Sequence, residues 1–166
     1  MEFNDILVVY FSHTGATKNM AEEIAKQLDC DISEIVPLFP YPSRSDDVAV
    51  LEAQAQKEYE ENARPLMKNP IDVSHYKTVF IGYPLWWYGM PMILYTFLDS
   101  VDLSGKNVIP FNTHRGTTDM GTFAKFHELC PNSNVLPGMH MQNAEAIVGN
   151  SKRIAAWLDG LDIYDT

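Results

Sequence analysis

The chain has 166 residues, 46% of them hydrophobic, enough for one domain with a full core. Its formal net charge of −10 argues against nucleic acid or an anionic membrane surface as a main partner. No apolar run reaches the length of a membrane span, and the N-terminus, MEFNDILVV, carries acids where a signal peptide would carry positive charge, so a cytoplasmic protein is expected.

Residues 5–11, DILVVYF, read as a strand that is β-branched, aromatic and without alternation, the pattern of a strand buried on both faces. From Ala16 to Leu28, apolar residues at Met20, Ala21, Ile24, Ala25 and Leu28 have helical spacing. A short strand is expected near Ile32–Val36, after which Pro37, Pro40 and Pro42 forbid regular structure. Residues 46–63 read as a helix with Glu52, Glu58, Glu60 and Glu61 on its wet face, closed by Pro65. Thr78–Tyr83 is a second continuous apolar strand, and Pro91 takes a first helical position before MILYTFLDSV. Asn107–Asn112 is a third such strand, followed by a helix over Asp119–Leu129. A weaker strand at Asn134–Met139, containing Pro137 and Gly138, leads to a closing helix at Glu145–Leu158. No repeat, low-complexity tract or linker divides the chain, so residues 1–166 are expected to form a single domain. Cys30 and Cys130 form no CxxC motif and read as ordinary thiols of a reducing compartment.

Strand and helix alternating in this way predict an α/β three-layer sandwich. The expected core is a five-stranded parallel sheet of doubly wound order 2-1-3-4-5. Such sheets bind ligands beyond the carboxyl ends of their strands, where the winding direction switches. The loops that reach this point are SHTGAT (12–17), PLWWYGMP (84–91) and THRGTTDMG (113–121).

SHTGAT leaves a strand and enters a helix. Unpaired amides at a helix start favour an anion, Gly15 permits a left-handed turn, and Ser12, Thr14 and Thr17 add hydroxyl donors. Neither GxxxxGK[ST] nor GxGxxG is present, so a single phosphomonoester fits better than a nucleoside triphosphate or a dinucleotide. A capped glycine turn holding nothing is the competing reading. In PLWWYGMP, at least one of Trp86, Trp87 and Tyr88 is expected to face the cleft and stack on a flat ligand; an anchor in the core or at a dimer interface is the alternative. In THRGTTDMG, His114 and Arg115 are the cations nearest the cleft, set against the alternative of solvated surface charges. Together the loops suit one molecule with a phosphate at one end and a planar ring system at the other. His75, His127 and His140 have no metal spacing, and GxSxG is absent.

These motifs, in this order, resemble the flavodoxin-like FMN-binding proteins. SHTGAT is similar to the phosphate-loop pattern [ST]-x-T-G-x-T. GYPLWWYGMP, with YP (41–42) and ENARP (61–65), resembles a short bacterial subgroup of flavodoxin-like flavoproteins. The resemblance covers nearly all of residues 5–160 and implies the flavodoxin-like fold with FMN as cofactor. It implies that Ser12, His13, Thr14, Gly15, Ala16 and Thr17 surround the 5′-phosphate. Pro84, Leu85, Trp86, Trp87, Tyr88 and Gly89 would line the isoalloxazine ring, and Thr113, His114, Arg115 and Gly116 would border its pyrimidine edge. One departure is the cationic pair His114-Arg115 where the subgroup often has a small neutral loop. Another is the lack of acids, with Asp119 the only carboxylate in these loops.

A cation beside the ring would favour the reduced, anionic flavin, which suits two-electron chemistry. The resemblance leaves three functions open. One is an FMN-dependent NAD(P)H oxidoreductase acting on a quinone-like acceptor. Another is a one-electron carrier docking to a basic redox protein. The last is a non-catalytic binding module. A homodimer built on Met90, Met92, Tyr95 and the aromatic loop is a further expectation, although the same residues could pack in the core.

Overall fold

The structure is a computed structural model that describes residues 5–43 and 48–163. Its elements are β1 (Ile6–Tyr10), α1 (Ala16–Leu28), β2 (Asp31–Glu34), α2 (Val48–Glu60), β3 (Thr78–Pro84), α3 (Met92–Ser100), β4 (Asn107–His114), α4 (Thr122–Leu129), β5 (Asn134–Val135), β6 (Met139–Gln142), α5 (Asn143–Val148) and α6 (Ser151–Asp159). The strands lie in the order β2-β1-β3-β4-β5, with β6 also beside β4, and every pairing is parallel.

The apolar strands are buried on both sides because side chains alternate across the sheet. Leu7, Val9, Val79 and Ile81 pack on one face with Leu51 of α2, Ile93 and Phe97 of α3 and Phe126 of α4. Ile6, Val8, Phe80 and Ile109 pack on the other with Met20 and Ile24 of α1, Ala146 of α5, and Ile154 and Leu158 of α6. The three-layer α/β sandwich and the order 2-1-3-4-5 expected from the sequence are therefore present.

Four expectations are corrected in detail. The fifth strand is two short strands in one line, β5 beside Asn107–Val108 and β6 beside Phe111–His114. Pro137 and Gly138 separate them. A proline offers no amide to a ladder, and a Cβ on Gly138 would stand 2.5 Å from the Pro110 carbonyl oxygen, so the chain passes there as tight bare backbone. The closing helix is also two, broken at Gly149 (φ 97°), after which the Asn150 side chain accepts from the Arg153 amide and caps α6. β4 runs on to His114, because β6 extends the ladder past Asn112. The helix expected over 46–63 occupies Val48–Glu60, its first expected residues lying outside the described ones.

Among the described residues no helix is long and apolar enough to cross a membrane. Met90 and Met92 are buried, so they supply no apolar interface, and half-buried Tyr95 packs against the core. Burial and neighbouring aspartates push the Cys30 thiol up to about 12, and burial alone takes Cys130 to about 11. Both thiols are free, and both are poor nucleophiles at neutral pH.

Candidate functional site

β1 lies between β2 and β3, so the crevice where the winding switches opens above the ends of β1 and β3. Beyond β1 the chain turns tightly. The Ser12 hydroxyl oxygen accepts from the amides of Gly15 and Lys18, each at 3.2 Å, which folds residues 12–18 into a closed bowl. Gly15 takes φ 101°, a conformation that other residues adopt only with strain. The first turn of α1 carries no acid, and the amides of Ala16 and Thr17 lie where no helical carbonyl can reach them. Thr14 is exposed at the rim. The donor set is neutral, made largely of backbone, and fits a phosphomonoester. Thr17 departs from its expected part as a free donor: its hydroxyl is buried and bonded to the Thr113 hydroxyl at 2.8 Å, tying the loop to the end of β4.

The aromatic loop divides its residues. Trp86 is only 6% exposed and meets Phe11, Tyr41 and His13 edge-on, with ring centroids 5.6, 4.9 and 5.9 Å away. It is thus held rigidly while still forming a wall. Leu85, Trp86 and Trp87 on one side and Arg115, Thr117 and Met120 on the other enclose a cavity of about 350 Å³. An adjoining space is lined by His13, Thr14, Pro84 and Asn143 and shares Leu85, Trp86 and Arg115 with the cavity. The two run together from the rim of the phosphate bowl at Thr14 to Met120. Neutral donors at one end and indole rings at the other suit FMN.

Tyr88 does not join them. Trp86 and Gly89 exchange backbone hydrogen bonds of 3.0 and 3.2 Å, forming a tight turn that sends Tyr88 outward to stack on Tyr59 of α2 at 5.4 Å. Tyr88 and Gly89 therefore shape the loop but line neither space.

His114 also departs from its expected place. It is the last residue of β4, and the strand's alternation turns it away from the cavity and into the protein, where it is 4% exposed. Its Nε2 lies 3.0 Å from Nδ1 of His140, and its Nδ1 accepts from the Gly116 amide. Burial first, then His140 and Arg153, hold its pKa below the ordinary range, so it is neutral at physiological pH and supplies no charge to the cavity. Arg115, beyond the strand, is exposed, lines the cavity and makes no ion pair among the described residues. Asp119 accepts from the Phe123 amide at the start of α4, and no carboxylate lines either space among the described residues.

Thr117, Met120 and Asn143 line the site without having been singled out from the sequence. The first two lie inside a loop whose wall-forming positions depend on its path. Asn143 follows β6, and nothing in its local sequence signals a ligand. Tyr41 supports the site from behind: it packs against Trp86 and donates to Glu58 at 2.8 Å. Arg64 of ENARP binds Asp99 at 2.6 Å and lies over Tyr95, anchoring the connection to α3 rather than the cavity.

Among solved structures, a protein of Bacteroides eggerthii DSM 20697 described as a flavoprotein is 33% identical, with a TM-score of 0.82, over 97% of this chain and 98% of that one. A second, from Bacteroides uniformis ATCC 8492 and described likewise, is 27% identical at a TM-score of 0.80, over 94% and 98%. A flavoprotein of Lactobacillus acidophilus NCFM in complex with FMN is 26% identical at a TM-score of 0.70, over 81% and 91%. No curated protein matches the chain in sequence. The flavodoxin family model matches residues 5–161, nearly the whole of the fold and all three loops of the site, and the chain belongs to the flavodoxin family.

Proposed function

We propose that this chain is an FMN-dependent redox protein that passes electrons in pairs, from a reduced nicotinamide or a protein donor to a quinone-like acceptor. FMN binding is supported by the bowl-and-cavity arrangement and by the FMN complex of the Lactobacillus relative. When bound, the cofactor supplies the redox chemistry, and the protein sets its position and energetics. The bowl at Ser12–Thr17 holds the phosphate. Leu85, Trp86 and Trp87 cover the ring and exclude water from it. Trp86 keeps its orientation through three edge-on aromatic neighbours.

One observation carries the two-electron reading: among the described residues the cavity wall holds a guanidinium, Arg115, and no carboxylate, in a chain whose net charge is −10. A fixed positive charge favours negative charge gained by the ring on reduction. Replacing Arg115 with Ala is expected to lower the two-electron midpoint potential of bound FMN by roughly 20–30 mV. Spectroelectrochemistry measures this directly, and an unchanged potential would remove Arg115 from the argument. Anaerobic photoreduction tests the reading as a whole. Direct bleaching of bound flavin is expected, with NAD(P)H-dependent quinone reduction as the following assay. A long-wavelength band of singly reduced flavin that persists would overturn it in favour of a one-electron carrier docking to a basic partner, which the net charge of −10 suits. The free, weakly reactive cysteines fit a cytoplasmic setting. A homodimer would have to use a surface other than the buried Met90 and Met92.

A further inference from the structure

Buried His114 and half-buried His140 form a ring pair that touches the cavity loop through the Gly116 amide. Their ring centroids are 5.0 Å apart, Nε2 of His114 is 3.0 Å from Nδ1 of His140, and the Gly116 amide donates to Nδ1 of His114 over 2.9 Å. These contacts leave one proton arrangement. Since Nδ1 of His114 accepts, its proton is on Nε2 and is donated to His140, whose own proton is then on its Nε2. The His114 ring is neutral at physiological pH, since burial lowers its pKa. A further proton on His114 goes to Nδ1, where it displaces the Gly116 amide.

The loop that Gly116 anchors has little else to hold its shape. Residues 115–118 are exposed. Gly116, Thr118 and Met120 have φ of 107°, 60° and 50°, left-handed values that Thr and Met keep only where surrounding bonds impose them. Among the described residues, the other side-chain bond to this stretch runs from Asn112 Nδ2 to the Thr118 carbonyl, at 3.0 Å. Arg115 and Thr117, on either side of Gly116, both line the cavity.

We infer that His114 and His140 are positioning residues for the cavity loop, and that one proton taken up by His114 releases Gly116 and weakens FMN binding. Neither ring lines the cavity, so the effect runs through the backbone of the loop. The charged groups facing the pair are Arg153 of α6 and Glu145 of α5, which are bonded to each other; Arg153 also donates to the His140 carbonyl at 3.0 Å. Burial, His140 and Arg153 lower the His114 pKa from its ordinary 6.5, against a smaller pull from Glu145. The bond from Gly116 to neutral His114 is therefore complete at pH 7 and above. It is lost as the pH falls below 6.5, and affinity falls with it.

The test titrates FMN binding from pH 8 to pH 5 in the wild-type chain and in His114→Gln. The Gln amide can accept from Gly116 and donate to His140, and it takes no proton. The FMN phosphate titrates in both and cancels in their ratio. The ratio of wild-type to variant affinity is expected to fall about tenfold per pH unit once the pH is below the His114 pKa. A constant ratio overturns the inference. A measurement on the wild-type chain stands independently of the variant's folding: ¹⁵N NMR of the histidine rings. It is expected to show the His114 proton on Nε2 at pH 8, and a Gly116 amide shift that follows the His114 titration. A proton on Nδ1 at pH 8, or a Gly116 amide indifferent to that titration, also overturns it. Neither readout depends on whether electrons pass singly or in pairs.

Discussion

Replacing Gly15 with Val is expected to weaken FMN binding by roughly 30- to 100-fold while leaving riboflavin binding nearly unchanged. The effect does not come from crowding, since a Cβ at Gly15 would meet nothing within 4 Å. It comes from the backbone. At φ 101° and ψ −15° a β-branched residue is strained, and the chain relaxes by rotating the peptide units on either side. Those units orient the bowl. The Gly15 amide is one of two donors to the Ser12 hydroxyl, and the Ala16 amide, next in the chain, is one that the proposed phosphate site would use. Strain of a few kcal/mol, or one misdirected bond to a charged phosphate, accounts for a loss of that size. Riboflavin lacks the phosphate and reports on the ring site alone. Quenching of flavin fluorescence gives both constants, and equal losses for the two ligands would place the phosphate elsewhere.

Replacing Gly82 with Ala is expected to destabilise the fold by about 3 kcal/mol, lowering Tm by roughly 6–12 °C. Gly82 lies on β3 directly opposite Phe111 of β4, whose ring crosses over it. A Cβ there would stand 2.1 Å from one ring carbon and 2.2 Å from the next, in a layer where both residues are fully buried. Phe111 cannot swing away without meeting the helices that pack on that face of the sheet, and interiors at native density offer no slack. Thermal unfolding of the single variant and of Gly82→Ala with Phe111→Val separates the causes. The smaller partner should recover part of the loss. An unchanged Tm in the single variant would mean that the ring finds room.

The main strands were legible because they are buried on both faces, which leaves continuous apolar runs between polar loops. The tight turn at Ser12–Thr17 was legible too, because glycine and small hydroxyl residues between a strand and a helix carry their own local chemistry. The break at Gly149-Asn150 had a local signal, a glycine followed by a capping residue, but the flanking apolar pattern on both sides masks it. The break between β5 and β6 had a local signal in Pro137-Gly138, but the need for a bare backbone at Gly138 comes from Pro110 lying across from it, which no local pattern records.

The sequence by itself determined the layer architecture, the strand order and the three loops at the crevice, since these follow from periodicity, from the handedness of β-α-β connections and from short motifs. The tertiary structure alone decided which residues of those loops line the cavity. His114 and Arg115 are adjacent cations in the sequence. β6 carries the ladder of β4 to His114, so one side chain is turned inward against His140 and held neutral, while the next stands free at the cavity wall. In the same way a backbone turn at Trp86–Gly89 keeps two indoles on the cavity and sends Tyr88 to α2. Side-chain direction at the end of a strand or in a turn is set by pairing with distant segments, and that pairing exists only once the chain has folded.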